Sequence, residues 1–183
     1  MVRDQRSERA CTFPPLKSET WGSVDIMPFD QELVEAKIAL GRIGPEELPS
    51  LAWDALEADL DGPSVRKLAA LVNPSGWETD RILPAFMAET GLKIISRQEA
   101  SVRLARQVAR RILSEGLDPV VHTRDFELLW IESGYSTSIQ EVGTLDDEKH
   151  VAEYVGQTES EFREYARRAL TNLLATPGED PHP

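Results

Sequence analysis

From about position 30 onwards, apolar residues recur at three- and four-residue spacing. Most of these runs have a capping residue in front and a glycine or proline behind. This is the period of a helix that buries one face, not the alternation of a half-buried strand. Ser75–Glu78, Ser96–Glu99 and Thr158–Glu161 each have the form of a capping box, and Thr144–Asp147 is a weaker version. In such a box the hydroxyl accepts from the third helical amide while the acid reaches back to the cap amide.

The spacing predicts the elements in turn. Asp30 can N-cap a helix running to about Leu40, with Gly41 as its stop. Pro45, Glu46 and Glu47 read as the first turn of a second helix, with Pro49 in that same turn. Its buried stripe is Leu48, Leu51, Ala52, Ala55 and Leu56, and Asp61-Gly62-Pro63 ends it. Ser64 opens a short helix with Val65, Leu68, Ala69 and Val72 inward, closed by Asn73-Pro74. The Ser75 box leads through Ile82, Leu83, Phe86 and Met87 to Gly91, with Pro84 expected to kink or split the helix. Leu92–Ile95 reads as a connector.

The Ser96 box opens the longest helix, to about Glu115, with Gly116 after it. At 100° per residue Leu104, Ala105, Val108 and Ile112 fall on one side, and Arg103, Arg106 and Arg110 nearly opposite. Asp118-Pro119 starts another helix carrying Phe126, Leu129 and Trp130, which Gly134 ends. Tyr135 to Gly143 reads as a polar loop, followed by a short helix near Asp147–Val155. The last helix keeps Phe162, Tyr165, Ala166, Ala169, Leu170, Leu173 and Leu174 on one stripe. Glu159–Arg163 and Glu164–Arg168 flank it as i, i+4 pairs, and Thr176-Pro177-Gly178 breaks it.

These elements predict an all-α, single-domain bundle of about seven or eight helices over residues 25–176. Residues 1–24, which mix charges around Pro14-Pro15 without a period, read as a mobile arm tethered by Trp21, Ile26 and Phe29. Residues 177–183 read as a tail. At 183 residues and 40% hydrophobic content, the chain can bury a sizeable core. No apolar run is long enough for a bilayer, and no apolar stretch follows the basic residues at the N-terminus. With Cys11 as the single cysteine, the expectation is a soluble cytoplasmic protein without a membrane partner.

Charge adds a second layer. The net charge is −12, which speaks against general nucleic-acid or anionic-membrane binding. Residues 1–24 carry +1, 25–62 carry −8, 63–116 carry +4 and 117–183 carry −9. An electropositive middle is flanked by two acidic thirds. One reading is internal charge complementarity plus solubility; the other is an acidic surface built to meet a basic partner.

The sequence offers few reactive groups. His122 shares a helix face with Phe126 and Trp130 and reads as structural. His150 lies in Asp146-Asp147-Glu148-Lys149-His150, but no second His or Cys motif completes a metal set, and those acids suit a helix N-terminus. His182 is in the tail. There is no nucleophile elbow, phosphate loop, dinucleotide fingerprint or His-Glu-x-x-His helix. Cys11 has no neighbouring base to activate it. The arginine row, with Arg97 and Arg111 at its edges, reads as a solvated face or as the complement of the chain's own acids. Of the four tryptophans, Trp53 and Trp77 are the ones placed for partial exposure, Trp53 to the side of its stripe and Trp77 in a first helical turn.

The stretch Gly62-Pro63-Ser64-Val65-Arg66-Lys67-Leu68-Ala69-Ala70-Leu71, with Glu46-Glu47-Leu48-Pro49 before it and Ala85–Leu92 after it, resembles a segment of small helical proteins of high-GC bacteria. The resemblance covers residues 33–132 and implies no activity and no site residues. In general character such proteins are similar to immunity or antitoxin proteins. The functional expectation is a non-enzymatic protein, without metal or cofactor, that binds a basic protein partner such as a toxin or effector. The candidate contact residues are Trp53, Asp54, Glu57, Asp59 and Asp61, or Asp146, Asp147 and Glu148. The alternative is a helical scaffold or regulator that oligomerises through the last helix.

Overall fold

The computed structural model describes residues 29–176. The expectations for the arm and tail, including Cys11, Trp21, Ile26, His182 and the Pro177-Gly178 break, lie outside the described residues. Within them the chain forms α1 (Gln31–Ala39), α2 (Leu48–Glu57), α3 (Pro63–Ala69), α4 (Gly76–Thr90), α5 (Arg97–Glu115), α6 (Thr123–Glu132), α7 (Gln140–Gly143), α8 (Leu145–Tyr154) and α9 (Glu159–Ala175). Single 3-10 turns, Pro119–His122 and Thr137–Ile139, lead into α6 and α7. No strand occurs among the described residues, so the architecture is all-α.

Among the described residues, local side chains cap four of the nine α-helices. Asp30 accepts from the Leu33 amide, and both halves of the Ser75 and Thr158 boxes are closed. At Ser96 only the hydroxyl half forms, accepting from the Glu99 amide at 3.1 Å. The Glu99 carboxylate turns instead to Arg103 at 2.6 Å, because an ion-paired hydrogen bond outweighs a neutral amide donor. Thr144 does not cap at all. Its own amide is bonded to the Gln140 carbonyl, which holds it in helical conformation, and its hydroxyl donates to the Glu148 carboxylate.

Several boundaries differ from the sequence expectation. Pro45–Glu47 is a turn, fastened by the Glu47 carboxylate on the Gly44 amide at 2.8 Å, and the helix starts at Leu48. For α3, Gly62 holds the cap position and Pro63 the first turn, ahead of Ser64. The missing side-chain cap comes from α4: Glu89 accepts from the Ser64 and Val65 amides at 2.7 and 3.1 Å. Since α3 stops at Ala69, Val72 falls beyond the stripe and stands 85% exposed. Pro84 neither splits nor ends α4. Pro84 and Asp80, whose carbonyl loses its amide partner, both lie on the exposed side, where water can satisfy that carbonyl. Finally, residues 135–143 are not a polar loop. Ile139, Val142 and Gly143 are buried, and they draw the chain into a 3-10 turn and the single turn α7.

The apolar side chains gather in two clusters. The larger joins Leu104, Ala105, Val108 and Ile112 of α5 to Phe126 and Leu129 of α6, Val142, Leu145, and the α9 stripe Phe162, Ala166, Ala169, Leu170 and Leu173. The smaller holds Leu48, Ala52, Val65, Leu68, Ile82 and Phe86 from α2, α3 and α4. Helix α1 belongs to both: Ala36 and Leu40 face the larger cluster, Val34 and the preceding Phe29 the smaller. Between those faces Glu35 is buried, accepting from the Lys93 amide at 2.7 Å and from Arg103 at 2.6 Å.

Candidate functional site

The first acidic group sits on α2 and the turn after it. Trp53 is 56% exposed, and Glu57, one helical turn on, is exposed beside it. Asp54 is half-buried, and Asp59 is exposed with φ 60°, a left-handed position that Asp tolerates better than most residues. Asp61 differs from its neighbours. Arg66 holds both its oxygens, with Nε 2.7 Å from Oδ1, and that guanidinium keeps the Asp61 carboxyl below its ordinary range. Asp61 is therefore already matched, and the outward charge of this patch rests on Asp54, Glu57 and Asp59.

The second acidic group stands at the start of α8, where its charges complement the positive end of the helix dipole. Its three members have different roles. Asp146 accepts from the Thr123 hydroxyl at 2.6 Å and ties α8 to α6. Glu148 accepts from Thr144 at 2.9 Å and lies close to Tyr165 of α9. Asp147 is exposed. Asp147 and Glu148 also line a groove between α8 and α9, completed by Val151, Ala152, Val155, Gln157, Phe162 and Tyr165, with a volume of about 420 Å³. Burial and the Glu148 carboxylate push the Tyr165 hydroxyl up to about 12, so at neutral pH it stays a proton donor.

The two acidic groups are not brought together. Helix α2 packs on α3, whereas α8 packs on α6, α7 and α9. Sequence reasoning picked Asp147 and Glu148 but missed the apolar residues beside them. Val151, Tyr154 and Val155 are 56%, 91% and 72% exposed. The signal was available: Val151 and Val155 stand four and eight residues after Asp147, and Tyr154 seven after it, on one helical stripe.

The other candidates are drawn into the fold. Arg103 binds Glu35 and Glu99. Arg106 donates to the Thr176 carbonyl at 2.9 Å, Arg110 to Gln107, and Arg111 pairs with Glu115. This row is thus largely matched by groups of the same chain. His122 is half-buried with Nδ1 3.0 Å from Asp125, and His150 is exposed. Trp77 is 67% exposed, with the Arg81 guanidinium 4.7 Å over its ring. Trp130 meets Tyr135 edge to face. No group of three or more metal-binding side chains occurs among the described residues, and none of their helices is long and apolar enough to cross a membrane.

No family model, curated protein or solved structure matches the chain.

Proposed function

We propose that this protein is a non-enzymatic acidic binding protein of the immunity or inhibitor type, which engages a basic surface on a protein partner. The observation that carries the reading is the pairing of exposed aromatic or aliphatic residues with acids that no described cation neutralises. Trp53 stands one helical turn from Glu57 on α2, and Tyr154 shares α8 with Asp147, with Val155 just past its end. A polar rim around an apolar anchor is the usual anatomy of an interface. The surplus negative charge would steer encounter, acting on the association rate more than on affinity.

The test starts from a partner recovered from the native host and measures its association rate against salt concentration. Glu57→Lys and Asp147→Lys, made separately in the full chain, change exposed side chains and leave the helices intact. At least one of them should slow association and flatten the salt dependence. Unchanged salt slopes in both variants overturn the reading.

The alternative, assembly through α9, has a specific observation against it. The regular stripe of α9 lies in the chain's own core, while Glu164, Arg167, Arg168, Thr171 and Asn172 face outward. Light scattering of the full chain separates the two readings.

A further inference from the structure

We infer that the groove between α8 and α9 is the docking site for a basic amphipathic helix of another polypeptide. This rests on the partner-binding reading and gives it a place and a ligand chemistry.

Helix α8 is apolar on two sides. Leu145 and Ala152 face the core, with Asp146 anchored to Thr123 beside them. The second side carries Val151, Tyr154 and Val155, all exposed. A surface helix in a folded chain needs one apolar stripe to hold it, so a second, uncovered stripe marks a contact surface. Its floor is furnished by α9: the Phe162 and Tyr165 rings lie 6.1 Å apart under the groove. The channel continues past Val155 and Gln157 into a second depression of about 430 Å³, lined by Gly156, Glu161, Glu164 and Arg168.

Charge selects the occupant. Asp147 and Glu148 stand at one end of the groove, Glu161 and Glu164 at the other, against the single cation Arg168 among the lining residues. A basic helix places its cationic residues over those acids and its apolar stripe between them, the helix-in-groove mode of recognition. A second copy of this chain fits poorly. In a two-fold contact the same patch meets itself, so carboxylates would face carboxylates. A strand has nothing to pair with, because the site lies between two helices whose amides are already bonded within them.

The probe is a fluorescein-labelled peptide of about 14 residues, about four helical turns, built from Leu and Lys in amphipathic order, with a scrambled peptide of the same composition as control. Fluorescence anisotropy with the full chain should show the amphipathic peptide binding at least about tenfold more tightly than the scrambled one. Val151→Ser and Val155→Ser, both at exposed positions lining the groove, should each weaken it about threefold or more while circular dichroism stays unchanged. Equal affinity for the two peptides overturns the inference, as does binding indifferent to Val151→Ser and Val155→Ser. Two further outcomes overturn it by naming another occupant. One is a dimer in light scattering that Val155→Arg dissociates. The other is probe binding that appears only after residues 1–17 are removed. If the groove variants have no effect on the native partner but Glu57→Lys does, the groove fails and the partner-binding reading survives.

Discussion

Glu35 of α1 and Arg103 of α5 meet at 2.6 Å in the wall between the two apolar clusters, with the carboxylate 6% and the guanidinium 25% exposed. The pair is one corner of a small network. Glu35 also accepts from the Lys93 amide, and Arg103 also binds Glu99. Because α1 contributes apolar residues to both clusters, this network fixes α1 against α5 and against the connector after α4. Removing one partner leaves a buried charge or amide without its counterpart, which is costlier than the net value of the pair.

Arg103→Met should therefore destabilise the protein by about 2–4 kcal/mol, since it strands Glu35 in a nearly dry site. Urea unfolding followed by circular dichroism measures this. Arg110→Met, at an exposed position on the same helix, should move the midpoint very little.

The borrowed cap of α3 gives a local prediction. Burial pushes the Glu89 carboxyl up, but the Ser64 and Val65 donors overcome this and hold it below its ordinary value. In Glu89→Ala those two amides lose their acceptor. Hydrogen exchange at Ser64 and Val65 should quicken selectively, while protection in α5 and α9 is retained.

Gly143 lies buried at the end of α7, where an added Cβ would come within 2.5 Å of the Trp130 side chain. The obstacle includes Cβ and Cγ of Trp130. The Trp130 Cβ atom is fixed by the backbone of α6 and moves only if α6 moves. Gly143→Ala should cost about 1–3 kcal/mol despite alanine's better helix propensity, and should shift the tryptophan emission.

Acid should weaken the contact between α9 and the turn before α6. Arg163 lies 3.0 Å from Asp118, and its hydrogen bond holds that carboxyl below the ordinary carboxylate value. A carboxyl depressed in the folded state contributes stability that is fully present above its unfolded pKa and is lost as pH falls through its folded pKa. Thermal midpoints recorded from about pH 6 to pH 2 should show an acid limb below the ordinary carboxylate range. Arg163→Met should lower the plateau at higher pH and make that limb shallower.

Helix content and most helix boundaries were legible in the sequence because their causes are local. Capping hydroxyls, stop glycines and apolar spacing act over one or two turns. Some departures from the local pattern came from distant groups. Glu89 caps a helix from 25 residues away. Arg103 drew Glu99 out of its capping box. Packing turned residues 135–143, polar by composition, into structured turns around Ile139 and Val142. The candidate acids were legible as charge, but which of them still face outward was not. Asp61 is matched by Arg66 and Asp146 by Thr123, whereas Asp147 stands exposed at the groove.

The sequence by itself determined that this chain is helical, acidic and punctuated into short segments, since propensity, capping and net charge need no partner beyond the next turn. Tertiary structure alone decided that the apolar residues divide into two clusters fastened through Glu35 and Arg103, and that α8 keeps a second apolar stripe uncovered. Both depend on which helix lies against which. The same valine or tyrosine becomes core or surface according to a neighbour far away in the chain, and local periodicity carries no record of that neighbour.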